Sequence, residues 1–405
     1  MGEGLSPAFK EAAVIREKIQ QTLQLLPEFD LDMWLIFVRE SAAMADPAME
    51  LVVGTHCTWQ SAFAYTRDGK AVAIVGNLDK TKFEELGVFT EVRSYVTGIG
   101  EELRRLFDEV KPKRFALNVS TNDYMSDGLT CGMYRLLERY LEGTEWMGRW
   151  VSSEGLIAAL RGRKTKAEQK RIQAAIDLTE EIFDKVTEML RPGLSEKDVA
   201  AFILNLVDEA GVETAWDRSE CPAVFTGPES AGAHCGPTDR KIEPGHVMNI
   251  DFGVKKDGFC SDLQRTWYFL RPGETRAPEE VRKAFDTIVE SIRLGAEKIR
   301  PGMTGLEVDT LVRTYITDKG YPEYPHATGH QVGRSTHDGA ALLAPEWERY
   351  GEIPRMKIEE NQVYTIEPRI TVEGFGVATL EDIIVVTPNG GRFLSHPQRE
   401  IWYVQ

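Results

Sequence analysis

The fold is decided by the stretch Val247–Phe269, which reads VMNIDFGVKKDGFCSDLQRTWYF. Its two ends are rich in apolar and β-branched residues, and the middle, Lys255-Lys256-Asp257-Gly258, is typical of a turn. The sequence therefore predicts a β-hairpin with strands at 247–254 and 259–269. Each strand carries an acid within its apolar run.

The two acids of this hairpin are predicted to lie opposite each other. If Val254 faces Phe259, then Asp251 faces Asp262. Side chains opposed in this way are about 4.5 to 5.5 Å apart at Cβ, and two like charges at that distance repel. A bound cation is the simplest way to make such a pair stable.

A second hairpin repeats the pattern downstream. Strands at 361–372 and 376–386 flank a short turn, and in this register Glu367 faces Glu381. Two opposed carboxylate pairs, together with the imidazole of His330, supply the ligand set of two divalent metals about 3.5 to 4 Å apart. The alternative is that the acids are solvated or take part in ion pairs. That alternative is reasonable for a single hairpin, but here it would have to be true of both hairpins.

Composition limits the classes of partner. The chain has 405 residues, 42% of them hydrophobic, which predicts two domains with packed cores. A formal net charge of −16 and the lack of a dense Lys/Arg run argue against nucleic acid and membrane surfaces as partners and favour a small substrate or a peptide. Residues 1–20 are charged and lack the apolar stretch of a secretory signal, so we expect a cytoplasmic protein.

The cysteines are scattered along the chain and have no spacing typical of metal ligands. They are Cys57, Cys131, Cys221, Cys235 and Cys260. An odd number without close pairs predicts reduced thiols. Cys235 and Cys260 are near proposed site residues, and we interpret them as buried small hydrophobic residues.

The chain is predicted to contain an N-terminal domain, 1–150, and a second domain, 151–405. The first part mixes strands and helices, among them an opening helix, a strand at 33–38 and a helix at about 128–141, which is typical of a compact α/β domain. The predicted boundary near Val151 precedes a polar, basic stretch and a long amphipathic helix.

The second part contains an internal echo. Leu190-Arg191-Pro192-Gly193-Leu194-Ser195 introduces one helix, and Ile299-Arg300-Pro301-Gly302-Met303-Thr304 introduces another. Ser195 with Asp198 and Thr304 with Glu307 predict a capping box at each helix start. A carboxylate hairpin follows each copy. The repeat therefore indicates two α/β halves related by an approximate two-fold, with a site that receives one carboxylate pair from each.

These motifs resemble the pita-bread fold metallopeptidases, the family of methionine aminopeptidase, aminopeptidase P and prolidase. The resemblance covers nearly the whole chain and implies an α/β fold, in which a creatinase-like N-terminal domain precedes a pita-bread catalytic domain. It implies that the metal ligands are Asp251, Asp262, His330, Glu367 and Glu381, with Asp262 and Glu381 bridging both ions. The ligands are mainly hard oxygen donors, so we expect two divalent ions, Mn in the first place, with Co or Zn as alternatives.

The resemblance also implies the catalytic residues. Glu367 is expected to carry the proton from the attacking water to the leaving nitrogen. His337 is expected to stabilise the oxyanion, while His234 and His326 grip the scissile amide region.

The implied function is hydrolysis of the peptide bond before proline by attack of a metal-bridging hydroxide, in an Xaa-Pro dipeptidase or aminopeptidase. Relatives are commonly dimers through the N-terminal domain, which implies a homodimer. The alternatives are a divergent member that acts on other dipeptides or on non-peptide esters, and a catalytically silent binding protein of the same fold.

One position departs from the family pattern. Most prolidases and aminopeptidases P have an arginine two residues before the last glutamate, where this chain has Thr379. Arg369 is predicted to lie opposite Thr379, so we hypothesise that its guanidinium takes the vacated place. A dipeptidase also needs a cation for the terminal carboxylate of its substrate, and Arg334, Arg355 and Arg369 are candidates.

Overall fold

The computed structural model describes residues 7–228 and 236–405. The chain divides into two compact units, Met1–Arg161 and Gly162–Gln405. The domain boundary near Val151 stays a prediction; Val151 itself lies in the last strand of the first unit's sheet.

The first unit alternates strands and helices. Its elements are α1 (Pro7–Glu28), β1 (Met33–Val38), α2 (Met49–Val52), β2 (Ser61–Thr66), β3 (Ala71–Gly76), α3 (Lys80–Leu86), β4 (Glu91–Tyr95), α4 (Gly100–Val110), β5 (Phe115–Leu117), α5 (Cys131–Leu141), β6 (Trp150–Ser152) and α6 (Glu154–Gly162). The strand predicted at 33–38 is confirmed. The helix predicted from about residue 128 begins at Cys131, because the hydroxyl of Thr130 caps it by accepting from the backbone N–H of Met133.

The strands of the first unit form one mixed sheet in the order β4-β3-β2-β1-β5-β6. Successive side chains of a strand point to opposite faces. Trp34 and Ile36 accordingly belong to one apolar core, and Leu35 and Phe37 belong to another. The sheet is therefore buried on both faces, as in a three-layer α/β unit.

The second unit contains long helices and several small sheets. Its helices are α7 (Lys166–Met189), α8 (Glu196–Glu209), α9 (Glu279–Lys298) and α10 (Gly305–Asp318). Its strands are β7 (Glu213–Thr214), β8 (Ala223–Thr226), β9 (Val247–Phe252), β10 (Val254–Lys256), β11 (Phe259–Cys260), β12 (Leu263–Phe269), β13 (Gly329–His330), β14 (Leu342–Leu343), β15 (Val363–Ile366), β16 (Arg369–Val372), β17 (Gly376–Thr379), β18 (Asp382–Thr387), β19 (Gly390–Phe393) and β20 (Trp402–Val404). The sheet that contains β9 has the order β20-β12-β9-β8.

The predicted echo is present as a repeated local structure. Ser195 and Thr304 each form a full capping box at the start of a helix, α8 and α10. The same two residues form isolated β-bridges, with Lys241 and Lys357 respectively. The sequence therefore identified both helix starts correctly, since a capping box depends on residues only three positions apart.

The register of the first hairpin differs from the prediction. Asp251 faces Gln264, not Asp262. The reason is the turn: only Asp257 and Gly258, both with positive φ, lie between the paired residues Lys256 and Phe259. A two-residue Asp-Gly turn replaces the predicted four-residue turn and shifts the pairing by two residues. A shift of two keeps every side chain on its original face.

The register of the second hairpin is as predicted. Arg369 pairs with Thr379 in β16 and β17. Ile366 pairs with Asp382 in β15 and β18, in the same register. Glu367 and Glu381 lie in the gap between these two ladders and therefore stand opposite each other.

Candidate metal centre

Five predicted ligands lie on the strands of the second unit or at their ends. Asp251 is in β9, and Asp262 lies between β11 and β12. His330 ends β13, Glu367 directly follows β15, and Glu381 directly precedes β18. Each side chain is thus held by a backbone that is itself paired or next to a pair.

Two glycines beside these ligands are required by close backbone contacts. A Cβ on Gly253 would lie 2.0 Å from the carbonyl oxygen of Ser261, and a Cβ on Gly329 would lie 2.0 Å from that of Thr365. No side chain fits at either distance. The glycines after Asp251 and before His330 therefore let the ligand-bearing strands approach each other.

The imidazole of His330 is surrounded by three carboxylates. Its Nε2 is 3.5 Å from Oδ2 of Asp262, 3.5 Å from Oε1 of Glu367 and 4.0 Å from Oε1 of Glu381. One ligand atom each from Asp262, His330 and Glu381 falls within 4.8 Å of the others. The fifth residue, Asp251, lines the same cavity, and its carboxyl group is near enough to that of Asp262 for each to affect the pKa of the other. The tertiary structure therefore brings all five residues together.

Several oxygens of this cluster are buried and lack a hydrogen-bond partner among the described residues. They are Oδ1 of Asp251, Oε1 of Glu381 and Oδ1 of the neighbouring Asn249. A buried oxygen without a donor costs about 1 to 3 kcal/mol, and more for a charged group. Such atoms would be stabilised by a positively charged partner, which the described residues do not provide.

The pKa shifts of the acids also indicate that the cluster requires a cation. Desolvation raises the pKa of Asp251 and of Glu367, and the negative charge of Asp262 raises each further. Desolvation likewise raises the pKa of Asp262 and of Glu381. Without a cation, the cluster therefore retains protons above the ordinary range of carboxyl groups.

The tautomer of His330 suits a metal ligand. Its Nδ1 is 3.1 Å from the carbonyl oxygen of Gln331, which only accepts, so Nδ1 is the donor and Nε2 has the free lone pair. Burial lowers the pKa of the imidazole to about 4, so the ring is neutral near pH 7. A neutral imidazole with one nitrogen anchored and the other facing carboxylates is the usual form of a metal-bound histidine.

These observations fit divalent metal ions. Hard carboxylate oxygens with a single imidazole suit ions such as Mn²⁺, and the orphaned oxygens provide room for further bonds.

A cavity of about 600 Å³ opens beside the cluster. Its apolar lining comes from Trp216, Phe225, Leu342, Tyr350 and Val377. Mainly apolar walls with a few convergent polar groups are typical of small-molecule sites of this size. All five predicted ligands also line the cavity, so a molecule bound there has access to them.

Two of the three further histidines predicted at the site lie at the cavity wall. The ring of His337 is 4.2 Å from that of His330, with the planes nearly perpendicular. Nδ1 of His326 carries the ring proton and donates it to the carbonyl oxygen of Ala327 at 2.8 Å, so this nitrogen is not a hydrogen-bond acceptor. Burial, together with a smaller effect of the charge of Arg369, lowers the pKa of His326 to about 4. His234 lies outside the described residues.

The place of the family arginine is filled by neutral groups. The hydroxyl of Thr379 is 3.1 Å from Oε1 of Gln264, and the amide nitrogen of Gln264 donates to Oε2 of Glu381 at 3.1 Å. Arg369 stands opposite Thr379 as predicted, but it forms no ion pair or hydrogen bond with the cluster or with any other described residue. The hypothesis that Arg369 supports the metal ligands is therefore wrong for the structure as described.

Sequence reasoning missed a buried ion pair next to His337. Nζ of Lys164 is 2.8 Å from Oδ2 of Asp338, and both side chains are buried. Asp338 also accepts from the backbone N–H of Arg334. The one sequence feature that could have indicated this pair is that Asp338 directly follows His337. Its partner Lys164 is so distant in the chain that only the fold reveals the pair.

A second missed network holds the segment of His326 and His330. The guanidinium of Arg313 donates to the carboxylate of Asp309 through two bonds of 2.8 Å and to the backbone oxygen of His326 at 2.9 Å. Asp309 also accepts from the hydroxyl of Thr328 at 2.6 Å. The spacing of Asp309 and Arg313 on one helix face was visible in the sequence, but such pairs are common on exposed helices.

The cysteines take no visible part in the site. Cys57, Cys131, Cys221 and Cys260 are free, and Cys235 lies outside the described residues. Burial raises the pKa of both Cys221 and Cys260 to about 12, which leaves their thiols protonated and weakly nucleophilic.

An α/β unit in which two hairpins gather four acids and one imidazole defines a metal-binding protein of the pita-bread class. The chain belongs to metallopeptidase family M24, whose model matches residues 170–388. The family resemblance and the fold class inferred from the sequence are both confirmed.

Individual relatives support this placement. The chain is 31% identical over 246 residues to the uncharacterized peptidase YqhT of Bacillus subtilis, a match of 60% of this chain and 65% of that protein. It is 29% identical over 270 residues to the Xaa-Pro dipeptidase of Pyrococcus furiosus, a match of 66% of this chain and 72% of that protein. The matched region thus spans about two thirds of the curated relatives' length.

A solved structure extends the likeness to almost the whole chain. The Xaa-Pro dipeptidase from Bacillus anthracis superposes with a TM-score of 0.72 and 24% identity, covering 96% of this chain and 100% of that one. At this identity the likeness establishes the fold. Among the residues described, no helix has the length and apolar character needed to cross a bilayer.

Proposed function

We propose that this protein is a metal-dependent peptidase that hydrolyses the bond before proline and uses two divalent ions, Mn in the first place, held by Asp251, Asp262, His330, Glu367 and Glu381. The observation that carries the proposal is the set of orphaned buried oxygens in a four-acid cluster beside an apolar cavity. Divalent ions in such a site lower the pKa of water and polarise a carbonyl group.

Residues of the chain account for the proton transfers. When water attacks the carbonyl carbon, a C–O bond forms and negative charge moves to the carbonyl oxygen; the C–N bond breaks as the carbonyl re-forms, and one proton must move from the water to the leaving nitrogen. Glu367 is partly exposed and lines the cavity, so its carboxylate can take that proton and return it to the nitrogen of proline.

The histidines bind and orient the substrate. His337 reaches the cavity next to His330 and can donate to the carbonyl oxygen as negative charge develops on it. His326 donates through Nδ1 to the backbone, so its Nε2 accepts a hydrogen bond, for example from the amino group of a peptide. The same role is proposed for His234.

The structure separates the three arginines that were candidates for binding a substrate carboxylate. Arg355 is exposed and paired with Glu346 at 2.6 Å. Arg334 packs over the ring of Phe259, and it does not line the cavity among the described residues. Arg369 lines the cavity and has no acidic partner among the described residues.

Arg369 therefore favours the dipeptidase form of the function. Burial lowers the pKa of its guanidinium, and no acid among the described residues pairs with it to compensate its charge. A substrate whose terminal carboxylate lies one residue after the scissile bond supplies that compensation. An aminopeptidase, by contrast, acts on peptides that have no carboxylate at this distance.

The function is tested by metal analysis and by assays with Mn, Co and Zn on Ala-Pro, Gly-Pro and a longer peptide that begins with Ala-Pro. We expect bound divalent metal and hydrolysis of the dipeptides. Cleavage of the longer peptide at a similar rate would select the aminopeptidase form. A protein that binds none of the metals and cleaves none of the peptides would refute the proposal.

The role of Arg369 is tested by Arg369→Ala, with Arg355→Ala as a matched control. Hydrogen bonds to a charged group contribute about 1.5 to 3 kcal/mol, so kcat/KM for Ala-Pro is expected to fall by about 10- to 100-fold. The rate with the C-terminal amide of Ala-Pro should change little, because that substrate has no carboxylate. Equal losses on both substrates would contradict the role.

A further inference from the structure

The side chain of Gln264 lies between the two glutamates of the metal centre. Its amide nitrogen donates to Oε2 of Glu381 at 3.1 Å and to Oε2 of Glu367 at 3.4 Å. Its amide oxygen lies 3.1 Å from the hydroxyl of Thr379, whose one proton is shared between this oxygen and the backbone oxygen of Pro368, also at 3.1 Å. Gln264 and Thr379 are both buried. The orientation of the carboxamide follows from these partners, because the reverse orientation would place an oxygen against two carboxylates.

The backbone of Gln264 connects both hairpins. It pairs with Asp251 across β9 and β12, and it forms an isolated β-bridge with Glu381. The N–H of Glu381 donates to the carbonyl oxygen of Gln264 at 3.2 Å. One residue is therefore in register with a proposed ligand of each hairpin and also contacts a ligand through its side chain.

No lysine or arginine among the described residues forms an ion pair with the four acids. The nearest candidate in sequence, Arg265, directs its guanidinium to the backbone oxygen of Glu381 at 2.9 Å and to the carboxylate of Asp382 at 3.2 Å. Arg369 has no partner in the cluster. Among the described residues, the side-chain donor that the two glutamates share is therefore the neutral carboxamide of Gln264.

We propose that Gln264, oriented by the hydroxyl of Thr379, is the positioning residue that holds Glu381 and Glu367 in the geometry that binds divalent metal. This inference rests on the proposed metal-dependent function. Thr379 orients the carboxamide, the carboxamide fixes one oxygen of each glutamate, and Oε1 of Glu381, which has no protein partner, stays available for an ion. Groups that orient metal ligands in this way typically contribute about 10- to 100-fold in metal affinity or activity.

The test is calorimetric titration of the metal-free protein with Mn²⁺. Gln264→Met keeps the length of the side chain but removes the donor, and we expect affinity to fall by about 10- to 100-fold. Thr379→Val removes the orienting hydroxyl but leaves the carboxamide, so its loss should be smaller. Thr379→Ser keeps the hydroxyl and should bind like the unmodified protein.

Gln398 offers a matched control, since its side chain hydrogen-bonds to the backbone of Thr266 on the strand that carries Gln264. It is a buried glutamine whose side chain accepts from the N–H of Thr266 and donates to the carbonyl oxygen of the same residue. Gln398→Met therefore removes a buried carboxamide that touches no ligand. This variant should lower the melting temperature of the metal-free protein without changing its Mn²⁺ affinity. If Gln264 had only a structural role, Gln264→Met would give the same result.

A rescue variant separates positioning from simple packing. A long donor placed at position 379 can reach the space that a truncated Gln264 vacates, since the two side chains are in contact. Gln264→Ala combined with Thr379→Arg is therefore expected to bind Mn²⁺ more tightly than Gln264→Ala alone.

The outcomes distinguish this inference from the function on which it rests. If the unmodified protein binds no Mn²⁺, Co²⁺ or Zn²⁺, the proposed function fails. If it binds Mn²⁺ and Gln264→Met binds equally well, only the positioning role of Gln264 is overturned.

Discussion

Each unit buries acidic side chains, but Asp46 of the first unit and the metal cluster of the second unit differ in how many of their oxygens have hydrogen-bond partners. In the first unit, Oδ1 of Asp46 accepts from the backbone N–H of Ala48, and both carboxylate oxygens accept from the side chain of Asn118 at 2.9 Å. The oxygen of Asn118 in turn accepts from Trp34 and Ser153, at 2.7 Å each. Every polar atom of this network has a partner.

In the metal cluster of the second unit, two buried acids each leave one oxygen without a partner. Oδ1 of Asp251 and Oε1 of Glu381 are buried and unbonded among the described residues. The contrast teaches that burial alone does not identify a binding site. A closed network such as that of Asp46 stabilises a fold, whereas an open one indicates a missing ligand.

The largest expected effect comes from removing a proposed ligand. Asp262→Asn takes away a negative oxygen that faces His330, so we expect loss of metal from the protein and a fall in kcat/KM well beyond the roughly 100-fold typical of groups that only support a ligand. Elemental analysis and an Ala-Pro assay measure the two effects. Asp46→Asn is the matched control, and reduced metal content in that variant would break the comparison.

A buried acid that is paired with a lysine provides an intermediate case. Lys164→Met leaves the charge of Asp338 buried without its cation, and breaking such a pair costs about 3 to 5 kcal/mol. Urea unfolding measures this loss. Arg163→Met, which breaks the partly exposed pair with Glu359, should cost no more than about 1 kcal/mol. Equal losses in the two variants would show that the buried pair has no special importance.

Metal should stabilise the protein through the open cluster. At a free Mn²⁺ concentration of about 100 times Kd, binding to the folded state adds about 2.7 kcal/mol to the free energy of unfolding. Thermal unfolding with Mn²⁺ and with a chelator measures the difference. The difference is expected to persist in Asp46→Asn and to vanish in Asp262→Asn. A chelator that leaves the melting temperature of the unmodified protein unchanged would argue against a filled site.

The smallest effect is a pH dependence of the closed network. Desolvation raises the pKa of Asp46 to about 6, although its bonds to Asn118 lower it in part. Because the folded pKa exceeds the unfolded value of 3.8, the folded state binds more protons between these values. The contribution of Asp46 to stability is therefore complete below pH 3.8 and is lost as pH rises through about 6.

This dependence is measured as the difference in unfolding free energy between the unmodified protein and Asp46→Asn across that pH range. We expect the difference to change by about 1 to 3 kcal/mol in favour of the unmodified protein as pH falls, at about 1.4 kcal/mol per pKa unit. A difference that is independent of pH would show that Asp46 does not titrate in this range.

The sequence predicted most of the candidate site because side-chain alternation tolerates one kind of error. The register of the first hairpin was wrong by two residues, yet Asp251 and Asp262 remained on one face and in contact. A shift of one residue would have sent one of them to the opposite face. The second hairpin, with its short turn at Gly374, was placed correctly.

The same alternation could have pointed to Gln264. It lies two residues after Asp262 in the chain, and strand alternation places such a residue on the same face of the hairpin. Nothing local showed that it meets Glu381, because that contact joins strands from two different hairpins. For the same reason the sequence assigned the vacated arginine position to Arg369 and not to a carboxamide.

The sequence by itself determined the helix caps, the apolar alternation of the strands, the family and the four acids and one imidazole that gather at one place. These features depend on residues a few positions apart, where covalent geometry sets which side chains share a face. The tertiary structure alone decided which oxygens stay without partners, which nitrogen of His330 is free and which neutral or charged group supports each acid. Those properties depend on contacts between segments far apart in the chain, and local periodicity carries no information about them.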